Sequence, residues 1–86
     1  MVKFRIRYYH KGDAMMTVNG GAFIITENEY VIKCFLKTVA RYKIENTTAS
    51  KLTSTPNALS LNDGEKQIDL YFFSKTAGKV YETLGL

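Results

Sequence analysis

Apolar and polar residues alternate from the start of the chain, and a period of two persists to about residue 73. In residues 2–8, Val2, Phe4, Ile6 and Tyr8 alternate with Lys3, Arg5 and Arg7. Successive side chains of a strand point to opposite faces, so this stretch predicts a half-buried strand with a basic outer face. Lys11-Gly12-Asp13 reads as a turn, residues 14–18 as a short apolar stretch, and Asn19-Gly20-Gly21 as the strongest break of this half. Residues 22–26 form a short strand that is apolar on both faces. Glu27-Asn28 turns into residues 29–36, where Tyr30, Ile32, Cys34 and Leu36 share a face, and Lys37-Thr38 is the next break. In residues 39–44 the pattern puts Ala40, Tyr42 and Ile44 on one side and Val39, Arg41 and Lys43 on the other. Residues 45–48 are loop-like, 49–53 a weak strand, and Thr55-Pro56-Asn57 turns the chain into residues 58–61. Asn62-Asp63-Gly64-Glu65 is a strong hairpin signal. Its return strand, 67–73, places Ile68, Leu70 and Phe72 together.

The last segment changes period. Ala77, Val80, Tyr81 and Leu84 follow i, i+3, i+4, i+7 spacing, with Ser74 as the expected N-cap and Gly85 as a left-handed C-cap. A helix of about ten residues is marginal alone in water, so its apolar stripe must dock on the sheet. About seven short strands followed by one helix predict a mainly β, α+β domain. The expected form is a small antiparallel sandwich or barrel capped by the C-terminal helix, with barrel closure removing the exposed edges.

Eighty-six residues make one domain. No apolar run approaches the roughly 18 residues of a membrane span, and Lys3, Arg5 and Arg7 interrupt any secretory apolar region. The expectation is a cytoplasmic protein, either free or peripheral at the membrane. The single cysteine, Cys34, excludes an internal disulfide, and ligands are too sparse for a standard metal site, so no cofactor is expected. The formal net charge is +4, but unevenly spread. Residues 1–44 hold eight Lys/Arg against three Asp/Glu, net +5, and residues 45–86 hold four against five, net −1. That asymmetry favours a partner bearing closely spaced negative charge.

The candidate binding residues follow from the charge map. Lys3, Arg5 and Arg7 on one strand face, with Lys11, Lys37, Arg41 and Lys43, form a potential anion or partner site. Tyr8, Tyr9 and Tyr42 are candidate aromatic contacts that would stack bases if the partner were single-stranded nucleic acid. The competing reading is that outward charges keep a β-rich domain soluble and guard its edges. Cys34 and His10 match no Cys-His catalytic signature. Cys34 reads as a buried inert thiol and His10 as a solvated loop histidine. Glu27, Glu29, Asp63 and Glu65 fall in turns, where water equalises their acidity. Gly20-Gly21 is followed by no phosphate-loop motif.

Residues 21–32, Gly21-Ala22-Phe23-Ile24-Ile25-Thr26-Glu27-Asn28-Glu29-Tyr30-Val31-Ile32, resemble the G-hydrophobic-T-x-x-x-hydrophobic hairpin of GRAM and bacterial pleckstrin-homology-like domains. The following order is also similar over residues 20–86: a basic strand, a strand after Ile44, the hairpin from Leu59 to Phe73 and a terminal helix. The resemblance implies a bent seven-stranded sandwich capped by the helix, noncatalytic, binding phospholipid head groups, peptides or proteins. Where such domains bind lipid, basic residues of the first loops hold the phosphates. Here that loop offers only His10 and Lys11, and the turn after Thr26 is acidic. The expected mode is therefore loose attraction to anionic surfaces rather than specific phosphoinositide recognition.

Together these readings predict a noncatalytic binding or scaffolding module. It would recognise a protein partner or an anionic membrane surface through its basic strand face and strand edges. The alternative is a small nucleic-acid-binding β protein using the basic, aromatic strand at 2–9. A homodimer is compatible with either reading.

Overall fold

The computed structural model describes residues 1–12 and 14–86, with residues 14–20 as backbone only, so the expected turn at Lys11-Gly12-Asp13 falls partly outside the described residues. Among the described residues there are seven strands: β1 (Val2–Lys11), β2 (Ala14–Ile25), β3 (Glu29–Cys34), β4 (Lys37–Lys43), β5 (Thr48–Lys51), β6 (Ala58–Asn62) and β7 (Gln67–Tyr71). A single 3-10 turn, Ile44–Asn46, precedes β5, and the helix α1 (Ser74–Leu84) ends the chain. All strands belong to one antiparallel sheet in the order β4-β3-β2-β1-β7-β6-β5. The fold is thus mainly β with one terminal helix, as the patterning predicts.

β1 is the hinge of the sheet. It pairs with β2 along most of its length, and its last four residues, Tyr8 to Lys11, also pair with β7. The expected break at Asn19-Gly20-Gly21 is not a turn: β2 runs through it. Ile6 pairs with Gly21 and Tyr8 with Thr17, so Arg7 alone stands opposite three β2 residues. The segment with the local signature of a reversal thus carries a bulge instead. At this bulge the alternation of β1 changes phase. Phe4 and Ile6 are buried, and then Tyr9, while Tyr8 leaves the core face and stacks on Tyr71 with ring centroids 4.4 Å apart.

The β3–β4 connection also departs from the expected pattern. Tyr30 pairs with Tyr42 and Ile32 with Ala40, which aligns the inward-facing residues of both strands. An irregularity between Ile32 and Lys33 absorbs one extra β4 residue, and Cys34 then pairs with Lys37. The reversal therefore falls at Phe35-Leu36 rather than at Lys37-Thr38, which lie in β4. Leu36, expected on the core face with Cys34, is 98% exposed at the tip.

The sheet curls but does not close, because β4 and β5 are both edges and do not pair. Closure into a barrel, one form the strand count allowed, is therefore absent. The curl encloses a core of Phe23, Ile32, Tyr42, Leu59, Leu61, Ile68, Leu70 and Phe72, onto which α1 presses Ala77 and Val80. Phe73, not Ser74, occupies the N-cap position and makes no side-chain cap bond. At the other end Gly85 adopts φ 72°, and the Leu86 N–H donates to the Tyr81 carbonyl at 2.8 Å, closing the helix as expected. The Tyr81 hydroxyl donates to the Ala58 carbonyl at 3.0 Å, fastening the helix to β6.

Candidate anion-binding surface

Ladder register decides which basic residues share a face, because cross-strand partners point the same way. Lys3 pairs with Ile24, Ile24 with Val31 and Val31 with Arg41, so these four form one row across β1–β4 on the outer side of the sheet. The neighbouring row is Arg5, Ala22, Lys33 and Thr38. Lys43 and Glu29 pair one step further along. With strands about 4.8 Å apart, Lys3 and Arg41 stand roughly 14 Å from each other, with the apolar side chains of Ile24 and Val31 between them. Val31 and Ala22 are buried in the middle of this face, while Lys3, Arg5, Arg41 and Lys43 are exposed around them. The acid on these rows, Glu29, accepts a 3.2 Å hydrogen bond from the Arg41 guanidinium. Lys33 belongs to the face although it was not among the candidate residues. Its place was legible in the alternation of Val31 and Lys33 against Tyr30 and Ile32.

The remaining candidates separate from that face. Arg7 stands over the Phe73 ring at 5.1 Å and the Tyr8 ring at 5.8 Å, beside the start of α1. Lys37 pairs with Cys34 and so lies on the inner side of the sheet, at its open mouth. Lys11 reaches the same mouth, where its ammonium donates to the Val39 carbonyl at 3.2 Å. Tyr9, Lys11, Cys34, Lys37 and Val39 line a shallow hollow there, with Phe35 and Leu36 on its rim.

Two of the three aromatic candidates are unavailable for stacking. Tyr9 is only 9% exposed and Tyr42 only 1%, because both fall on the core phase of their strands. Burial, reinforced by the charges of Asp63 and Asp69, pushes the Tyr42 phenol up to about 12. Tyr8 alone remains half-exposed, and its outer partner Tyr71 has its phenol raised chiefly by burial. His10 lies within β1 opposite Asp69, not in a loop. Cys34 is half-buried at the end of β3, two strands away from β1 in the sheet order. Among the described residues no three His, Cys, Asp or Glu side chains gather as metal ligands, and no helix is long and apolar enough to cross a membrane.

The arrangement offers fixed positive charge around a small apolar centre, chemistry that suits attraction to a surface of closely spaced anions. Comparison with protein-family models, curated proteins and solved structures finds no match for this chain.

Proposed function

We propose that the chain is a noncatalytic binding module of the pleckstrin-homology/GRAM-like kind, docking on an anionic membrane surface. The observation that carries this reading is the outer face of β1–β4, where Lys3, Arg5, Lys33, Arg41 and Lys43 surround Ala22, Ile24 and Val31 with one acid among them. Seven antiparallel strands followed by a docked terminal helix agree with the family that residues 20–86 resemble. Each basic side chain near an anionic leaflet contributes on the order of 1 kcal/mol, so several acting together give useful but salt-sensitive binding. Burial of Tyr9 and Tyr42 removes two of the three stacking platforms that the nucleic-acid alternative needs.

The test is co-sedimentation with vesicles of phosphatidylcholine alone and with about a third phosphatidylserine, at low and physiological salt. Binding to the anionic vesicles that weakens with salt, and that falls at least tenfold in the double variant K3E/R5E, is the expected result. Equal pelleting of wild type and variant, or no pelleting at all, overturns the reading. Amide shifts on the same face produced only by single-stranded oligonucleotide transfer it to nucleic acid.

A further inference from the structure

We infer that the β3–β4 hairpin tip, Phe35-Leu36, is a membrane wedge that enters the interfacial layer of an anionic bilayer. The inference rests on the membrane reading above and adds a mode of attachment that the basic face lacks. Leu36 is 98% and Phe35 70% exposed, two adjacent large apolar side chains at the tip of a two-residue turn. Water gives no reason for such a pair, since hairpin turns are ordinarily polar and built from Asn, Asp and Gly.

The backbone sharpens the point. Phe35 sits at φ 58°, where an aromatic residue is strained and where Gly or Asn would rest easily. The turn thus carries an apolar ring at the position least suited to one, and strain retained at an exposed site points to a use for the side chain. The tip is convex, so it fits a soft medium that closes around it better than the preformed pocket of a rigid partner.

Charge selects the medium. Residues 30–44 contain Lys33, Lys37, Arg41 and Lys43 and no Asp or Glu. Lys37 adjoins the tip in sequence, Lys33 lies two residues before it, and Lys11 lines the hollow beneath it. Apolar side chains at the apex with ammonium groups set back behind them match a bilayer in depth: acyl chains inside, lipid phosphates and carboxylates outside. An acidic protein surface would satisfy the lysines but leave Leu36 without a partner.

The chain contains no Trp, so L36W supplies a single indole at the apex. With vesicles containing about a third phosphatidylserine, its emission is expected to shift to the blue and to be quenched by lipids brominated near the head of the acyl chain. The double variant F35N/L36G, which relieves the positive φ and keeps the hairpin, is expected to lose at least tenfold in vesicle partitioning at physiological salt. Its thermal midpoint should be unchanged or raised. If L36W pellets with vesicles while its emission stays that of water, the wedge is refuted and docking by the basic face stands. If F35N/L36G partitions like wild type, the wedge is likewise refuted. If neither the wild type nor any variant pellets, both readings fall together.

Discussion

Lys66, in the turn between β6 and β7, donates a 2.7 Å hydrogen bond from its ammonium to the carbonyl of Arg41 in β4, at the far side of the sheet order. The same ammonium lies 4.7 Å from the centre of the Tyr42 ring. Lys11 makes the corresponding bond to Val39 two residues earlier. β4 is an unpaired edge, and a row of free carbonyls on such an edge invites another strand. Two lysines from β1 and the β6–β7 turn occupy that row, so the open sheet is guarded without being closed.

Replacing Lys66 by Ala removes one hydrogen bond to a backbone carbonyl and one exposed cation–π contact, together about 1 kcal/mol. For a domain of this size the thermal midpoint should fall by roughly 4–8 °C. Self-association should rise as the edge is bared. Calorimetry and light scattering on K66A check both, and an unchanged midpoint with an unchanged monomer removes Lys66 from the role of edge guard.

The Tyr42 hydroxyl is buried and finds no hydrogen-bond partner among the described residues. Tyr42→Phe should therefore stabilise the fold or leave it neutral, by up to about 1 kcal/mol, because an unsatisfied polar group is removed from the interior. The variant also has a pH signature. The folded phenol titrates near 12 against an ordinary value of 10.0, so folding favours its protonated form. The resulting stability is complete below pH 10 and is lost as pH rises through 12. Urea midpoints between pH 9 and 12 should drop for wild type and drop less for Y42F. Parallel curves for the two proteins would contradict this.

Asp63 behaves in the opposite sense. Its carboxylate accepts N–H bonds from Lys66 at 2.9 Å and Glu65 at 3.0 Å, and these hold it below the usual aspartate range. A depressed value means the turn's support is present above about pH 4 and is lost as pH falls through the folded value. Asp63→Asn should weaken protection of the Glu65 and Lys66 amides at neutral pH and remove their acid-dependent loss. Hydrogen exchange measured across acidic pH distinguishes the two proteins. Identical protection profiles would show that the carboxylate does not hold the turn.

Val80 is fully buried where α1 meets the core. Val80→Ala removes two methyl groups at about 0.8 kcal/mol each and leaves a small cavity, a loss of about 2 kcal/mol in all. Denaturant unfolding should show the lower midpoint with an unchanged slope. A loss below about 0.5 kcal/mol would mean the helix repacks freely.

Most strand positions and the helix were legible along the chain, because one buried face imposes a period of two on a strand and about 3.6 on a helix. Ala40 against Arg41, Ile68 and Leu70 against Asp69, and Ala77 with Val80 were all placed correctly by that rule. The turn at Asn62-Asp63-Gly64-Glu65 was equally plain from its local chemistry, with Gly64 at φ 93°.

What misled the pattern was register, a property of pairs of strands rather than of one. Asn19-Gly20-Gly21 carries the local signature of a reversal, yet β1 pairs with β2 on either side of it and the chain passes through with a bulge. The same bulge rotated Tyr9 into the core and left Tyr8 outside, which no reading of β1 alone could foresee. Phe35-Leu36 lacks any turn signature, and the reversal landed there because Ile32 and Ala40 had to align side by side on the core face. The candidate site divided for the same reason. The linear sequence determined that the first half is basic and that Lys3 and Arg5 point outward, since charge and alternation are local. Pairing across four strands then put Arg41 and Lys33 on their face and sent Lys11 and Lys37 to the mouth, because the burial of apolar partners between them set the register.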